Sequence, residues 1–201
     1  MRLVIFDCDG VMFDSRAANE AFYNHIRHRF GLPDMSPEEV DYVHMATTDE
    51  SINRIIPEAL RAEAQTFRLT VDYAPYNRLM TPEPHLIELL EYLRPRFKTA
   101  VCTNRSYTII PLLEHFRLSV YFDTVVSILD VHQPKPDPEM IELALKRLNV
   151  PAREALYIGD SELDARAARA ADVRLAAYKN PDLEADYHLD DLAQVKDILS
   201  Q

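Results

Sequence analysis

Leu3-Val4-Ile5-Phe6-Asp7-Cys8-Asp9-Gly10-Val11 runs four consecutive apolar residues straight into an acid pair and a glycine. An unbroken apolar run of this length, rather than an alternating one, suits a strand buried on both faces of a parallel sheet. The Asp-Gly step that follows is where such a strand turns sharply. Similar runs recur at residues 98–102, 124–127, 155–158 and 173–178, and 187–189 adds a sixth.

Helical patterns lie between these runs, at residues 85–93, 107–116, 137–148, 161–171 and 190–199. Strand and helix in alternation predict an α/β fold, a doubly wound parallel sheet with its ligand site beyond the carboxyl ends of the strands. One stretch breaks the alternation. From about Ser15 to Met80 the sequence reads as helices alone, at residues 17–30, 37–45, 50–56 and 58–70. Met80-Thr81-Pro82-Glu83-Pro84 then reads as a stiff return linker, because proline restricts itself and the residue before it. Residues 1–15 and 82–201 are therefore expected to form the core, with 16–81 inserted as an all-helical domain.

Composition narrows the function. The 201 residues are 47 % apolar and 27 % charged, the mix of an ordinary globular protein, and the net charge is −11. A chain this long buries about 70 % of its unfolded surface and needs no disulfide or structural zinc. The acidic balance argues against nucleic acid or an anionic membrane as partner, although a bound cation could still admit a phosphorylated metabolite. The two cysteines, Cys8 and Cys102, sit inside apolar runs and read as free thiols of a reducing compartment. No run reaches the length of a membrane span, and acids interrupt the first residues before a signal core could form, so a cytoplasmic protein is expected. With only three glycines, Gly10, Gly31 and Gly159, neither a GxGxxG turn nor a GxxxxGK loop is possible.

Four strand ends carry chemistry. Asp7 and Asp9, two residues apart, can face one pocket and divide nucleophile from acid/base work, though a lone DxDG also reads as a solvated turn. Val101-Cys102-Thr103-Asn104 brings a hydroxyl and amides to a second strand end, where an N-cap is the plainer account. In Gln133-Pro134-Lys135-Pro136-Asp137-Pro138 the alternate prolines present Lys135 from an extended loop, while Asp137-Pro138 also makes a helix start. Finally, Gly159-Asp160-Ser161-Glu162-Leu163-Asp164 ends an apolar strand in acids. Ser161 and Asp164 fit a capping box, whereas Asp160 could complete an oxygen-only cation site.

Taken together, DxDGV, the strand-end Thr, the Lys-Pro loop and GDSxxD resemble the haloacid dehalogenase superfamily of phosphohydrolases. Asp14-Ser15 and Ala167-Ala168-Arg169-Ala170-Ala171 are similar to its phosphoglycolate-phosphatase-like branch. The resemblance implies an Mg²⁺-dependent phosphatase acting on a small phosphorylated metabolite, phosphoglycolate or a sugar phosphate. It implies Asp7 as the nucleophile that becomes an aspartyl-phosphate, and Asp9 as acid and then base. It also implies Mg²⁺ on the Asp7 carboxylate, the Asp9 carbonyl and Asp160, with Asp164 a ligand or a partner of one. Thr103 and the Asn104 amide would bind the phosphoryl group, and Lys135 would neutralise it. The helical insertion resembles the cap of that branch, with Arg16, Asn19, His44, Thr47 and Thr48 as substrate-facing candidates. Phe22 and Tyr23 read either as further contacts or, by amphipathic packing, as cap core.

Other activities of the superfamily fit less well. Dehalogenases lack an acid at the Asp9 position, and a phosphonoacetaldehyde hydrolase needs a cap lysine, yet no lysine precedes Lys98. A β-phosphoglucomutase-type mutase typically has a cap histidine where this chain has Asn19. A phospho-ligand binder without activity is the reading from another class. Three positions depart from the usual pattern. Arg105 stands in place of Lys, with a modest effect on phosphate-side charge expected, and His85 and Asp172 stand in place of Gly at turns.

Overall fold

The computed structural model describes residues 1–200, apart from the Met45 side chain. In chain order the first elements are β1 (Leu3–Phe6), β2 (Phe13–Asp14), α1 (Arg16–Arg29), α2 (Pro37–Met45), α3 (Thr48–Ile55), α4 (Arg61–Arg68), α5 (Ala74–Asn77) and β3 (Thr81–Pro82). Then follow α6 (Leu86–Leu93), β4 (Lys98–Thr103), α7 (Ile109–His115), β5 (Thr124–Ser127), α8 (Glu139–Leu148) and β6 (Ala155–Gly159). The last are α9 (Glu162–Ala170), β7 (Arg174–Tyr178), β8 (Tyr187–Leu189) and α10 (Val195–Leu199).

The chain divides into two compact units, one made of Met1–Phe13 and the chain from Pro82 onward, the other of Asp14–Thr81. In the first, six parallel strands take the order β5-β4-β1-β6-β7-β8. Phe6 pairs with Val101 on one side and Ile158 on the other, so Asp7, Cys102-Thr103 and Gly159-Asp160 all emerge at the same end. All four residues of β1 are wholly buried. At roughly 1.5–3 kcal/mol per buried side chain, such a strand has one stable position, the middle of the sheet. The core on one face joins β1, β4 and β6 to Met140, Ile141 and Ala144 of α8 and Ala165, Ala167 and Ala168 of α9. Cys8 and Cys102 are buried free thiols.

Two turn positions that departed from glycine adopt the left-handed backbone all the same: His85 at φ 59° and Asp172 at φ 56°. Each costs about 1–2 kcal/mol relative to glycine. The His85 ring meets both carboxylate oxygens of Asp191 at 2.8 Å, which fastens the turn before α6 to the start of the last helical segment.

The second unit is helical. α2 and α3 both begin with complete capping boxes, Ser36 with Glu39 and Thr47 with Glu50, because each side chain serves the other's orphan backbone N–H. Phe22 and Tyr23 are buried within this unit, and Phe22 packs against the rings of Tyr73 and Tyr76. Sequence periodicity merged residues 58–70 into one helix; the structure has a 3-10 turn at Glu58–Leu60 before α4, and α5 lies between that stretch and Met80, where no helix was assigned. Met80-Thr81-Pro82 is more than a linker, since β3 pairs with β2 as a two-stranded ribbon. Among the described residues no helix is long and apolar enough to cross a membrane.

Candidate active site

The carboxyl ends of β1, β4 and β6 and the loop after β5 hold the acids and cations singled out in the sequence. Lys135 is the hub. Its Nζ lies 2.7 Å from Asp7 Oδ1, 2.7 Å from Asp164 Oδ1 and 3.1 Å from the Tyr157 hydroxyl. Its loop is anchored by Asn104, whose side-chain oxygen accepts the Lys135 N–H at 3.0 Å while its amide donates to the Lys135 carbonyl at 3.1 Å. The Asn104 side chain is therefore a brace for Lys135, and the group it can offer a ligand is its backbone N–H. The Lys135–Pro136 peptide is cis.

Asp164 combines both readings of its sequence position. It closes the capping box of α9 with Ser161, and it is an anchor for Lys135. Oδ1 accepts from Lys135 and from Tyr157 at 2.9 Å; Oδ2 accepts from the Ser161 hydroxyl at 2.6 Å and from the Ser161 and Asp160 N–H groups at 3.1 and 3.3 Å. With five donors on two oxygens, its capacity is filled by the protein. Burial would raise the Asp164 carboxyl, but Lys135, Ser161 and Tyr157 hold it below the ordinary carboxylate range.

Asp7 and Asp160 are less well served. Burial pushes Asp7 up to about 7; Lys135 opposes this while the charges of Asp164 and Asp9 add to it. Burial, then Asp164 and Asp7, push Asp160 up to about 8. One oxygen from each of Asp7, Asp160 and Asp164 lies within 4.8 Å of the others. Gly10, at φ +77°, leaves the space in which Asp160 sits, since a Cβ there would stand 2.0 Å from its Oδ2. The Asn180 amide donates to the Asp160 carbonyl at 2.8 Å and fixes that turn from β7's side of the sheet.

The residues suit a hard cation. Asp7, Asp9, Asp160 and Asp164 face Lys135 and Arg105, which leaves two negative charges to balance, and the donors are all oxygen. Asp7 and Asp160 have the oxygens least satisfied by the protein. Asp9 stands apart from this cluster, because its carboxylate is forked by Arg105, Nε to Oδ2 at 2.7 Å and Nη2 to Oδ1 at 2.6 Å. The Arg105 guanidinium holds the second acid of the motif, a contact that the sequence did not indicate. Thr103 is buried beside it and accepts the Arg105 N–H on Oγ1 at 3.1 Å.

Three participants escaped sequence reading: the Arg105 fork, the Tyr157 hydroxyl and the Asn180 amide. Tyr157 carried one signal, a polar tip inside an otherwise apolar strand.

The candidates in the helical unit divide. Asn19 and His44 meet, Nδ2 to Nδ1 at 3.3 Å, and the Tyr73 hydroxyl lies 3.5 Å from Asn19 Oδ1. Arg16 pairs with Asp41 at 2.5 Å, and Thr47 caps α3 through Glu50, so both have structural employment. Thr48 is the first residue of α3.

The chain is 26 % identical over its full length to the pyrophosphatase PpaX of Oceanobacillus iheyensis, covering 96 % of that protein. It is 29 % identical to phosphoglycolate phosphatase 1 of Pseudomonas aeruginosa, over 88 % of this chain and 68 % of that one. Among solved structures, a HAD-superfamily hydrolase of subfamily IA, variant 1, from Geobacter sulfurreducens superposes with a TM-score of 0.90 at 36 % identity, covering 98 % of this chain and 99 % of that one. A profile of the haloacid dehalogenase-like hydrolases matches residues 4–178, and the chain belongs to that family of hydrolases.

Proposed function

We propose that the protein is an Mg²⁺-dependent phosphatase that hydrolyses a small phosphorylated metabolite through an aspartyl-phosphate on Asp7. The observation that carries this reading is the hub of Lys135 between Asp7 and Asp164, with the Asp160 carboxylate in the same cluster. The names of the relatives, one a pyrophosphatase and one a phosphoglycolate phosphatase, support a small anionic substrate.

In this reading an Asp7 oxygen attacks phosphorus, the bond from phosphorus to the leaving oxygen breaks, and Asp9 supplies the proton that oxygen takes. Asp9 then removes a proton from water, which attacks the phosphorus of the acyl phosphate. Inorganic phosphate leaves and the Asp7 carboxylate is restored. Lys135 balances charge on the transferred group, while the Thr103 hydroxyl and the Asn104 N–H hold its oxygens. Asp164 and Tyr157 keep Lys135 in place. The Asp7 and Asp160 carboxylates with the Asp9 carbonyl would hold Mg²⁺, which when bound offsets the negative charge of the phosphoryl oxygens. The helical unit is read as the cap that selects the leaving group, and Asn19→Ala or His44→Ala should reorder the preferred substrates.

The test is phosphate release from a panel of phosphate esters, with Mg²⁺ and with chelator, using Asp7→Asn as the blank. Release that needs both Mg²⁺ and Asp7 is the expected result. Activity retained by Asp7→Asn would refute the nucleophile, and no release from any ester would favour a mutase or a binding protein.

A further inference from the structure

Asp9 and Arg105 are separated by 96 residues, yet their side chains form a two-bonded fork in which both are largely buried. Ion pairs removed from water contribute little net stability, because desolvation cancels most of the attraction. Stability alone is thus a weak account of the pair. The backbone around Arg105 is fixed as well. Its N–H donates to Thr103 Oγ1, and its carbonyl accepts from Ile128 N–H at 3.2 Å. The guanidinium is therefore delivered to one place, two residues beyond the hydroxyl that would hold the phosphoryl group.

Position gives the consequence. If Asp9 serves the leaving oxygen, a cation touching both Asp9 oxygens lies on the leaving-group side of the reaction centre. A guanidinium matches carboxylate and phosphate oxygens equally well, as its fork on Asp9 illustrates. We propose that Arg105 positions Asp9 and also favours phosphate monoesters and phosphoanhydrides whose leaving group carries a negative charge close to the bridging oxygen, on a carboxylate or a second phosphate. This rests on the phosphatase reading above. An anionic leaving group meets Arg105 as it arrives and shares or takes its fork, so that Asp9 turns towards the oxygen it serves. An uncharged leaving group has nothing to offer the guanidinium and gains from Arg105 only the positioning of Asp9.

The experiment compares parent, Arg105→Lys and Arg105→Ala on three probes: phosphoglycolate and inorganic pyrophosphate, with charged leaving groups, and glycerol 3-phosphate, without one. Arg105→Ala should lower kcat/KM on all three, but by about 10- to 100-fold more on the charged pair, the range for a lost hydrogen bond to a charged group. Arg105→Lys, which keeps the charge and loses the fork, should recover part of KM for the charged probes and little of kcat. Equal losses on all three probes would overturn the proposal. Thermal melts of both variants separate this from misfolding, and Arg105→Lys keeps the test open if the alanine variant does not fold. A second arm is independent of turnover: calorimetric binding of phosphoglycolate to Asp7→Asn, with and without Arg105→Ala. If the parent releases no phosphate from any probe, the phosphatase reading fails by itself. Binding at least about tenfold weaker without Arg105 then still supports an anion-reading role, and unchanged binding rejects it.

Discussion

Lys135 Nζ stands at the same distance, 2.7 Å, from an oxygen of Asp7 at the end of β1 and an oxygen of Asp164 on α9. Burial pulls this ammonium towards neutrality, but the two carboxylates more than reverse the effect and hold it above the ordinary lysine range. Lys135→Met leaves two buried carboxylates without their cation. It should cost about 3–5 kcal/mol in chelator and abolish phosphate release. Guanidinium unfolding checks the first part; a loss below about 1 kcal/mol would place the pair in the class of exposed bridges.

The pH dependence of stability follows from Asp7 and Asp160, raised from 3.8 to about 7 and about 8, by burial first. Between those values the folded protein retains protons that the unfolded chain has lost. These two groups therefore make the metal-free protein less stable as pH rises from near 4 to near 8. Urea unfolding in chelator at several pH values should show parent stability declining more steeply across this window than that of Asp160→Asn. Saturating Mg²⁺ should flatten the difference. Parallel curves for parent and variant would mean that Asp160 ionises normally.

Gly10→Ala tests how Asp160 is seated. The new methyl would meet Asp160 Oδ2 at 2.0 Å and Cγ at 2.6 Å, on a backbone at φ +77°. Left-handed strain alone costs about 1–2 kcal/mol, and the displaced carboxylate should raise the Mg²⁺ concentration for half-maximal activity about tenfold or more. Thermal melts and Mg²⁺ titrations read the two effects separately. An unaltered Mg²⁺ requirement would remove Asp160 from the cation site.

Ser161→Ala removes the cap of α9 together with the 2.6 Å bond to Asp164. Loss of the cap should cost about 1 kcal/mol. Because Asp164 holds Lys135, kcat should fall about tenfold with little change in KM. If stability falls while kcat stays, Ser161 serves the helix alone.

The strands were legible because burial on both faces leaves a continuous apolar run, and β1, β5 and β8 have the bounds that pattern gives. The acids and Lys135 were legible because strand ends, prolines and glycines punctuate the sequence locally. Side-chain pairing was not. Arg105 finds Asp9 only because β4 lies beside β1, and Tyr157 reaches Lys135 across the sheet from β6. No local signal records which strands are neighbours. The helical insertion was legible as a class and blurred in detail, since periodicity cannot separate the 3-10 turn at Glu58–Leu60 from α4. The bonds of the Asn104 side chain to Lys135 were hidden for a similar reason: they depend on how the loop after β5 returns.

The central place of β1 also governs how the molecule can be made. Its two neighbours, β4 and β6, are supplied by residues 98–103 and 155–159. During synthesis the first strand therefore waits for more than three-quarters of the chain before both its edges are paired. Until then it is an apolar ribbon with open hydrogen-bonding sides, the kind of segment that associates with the wrong partner. Truncation anywhere ahead of β6 would leave that state permanent, so fragments ending there should be prone to aggregate.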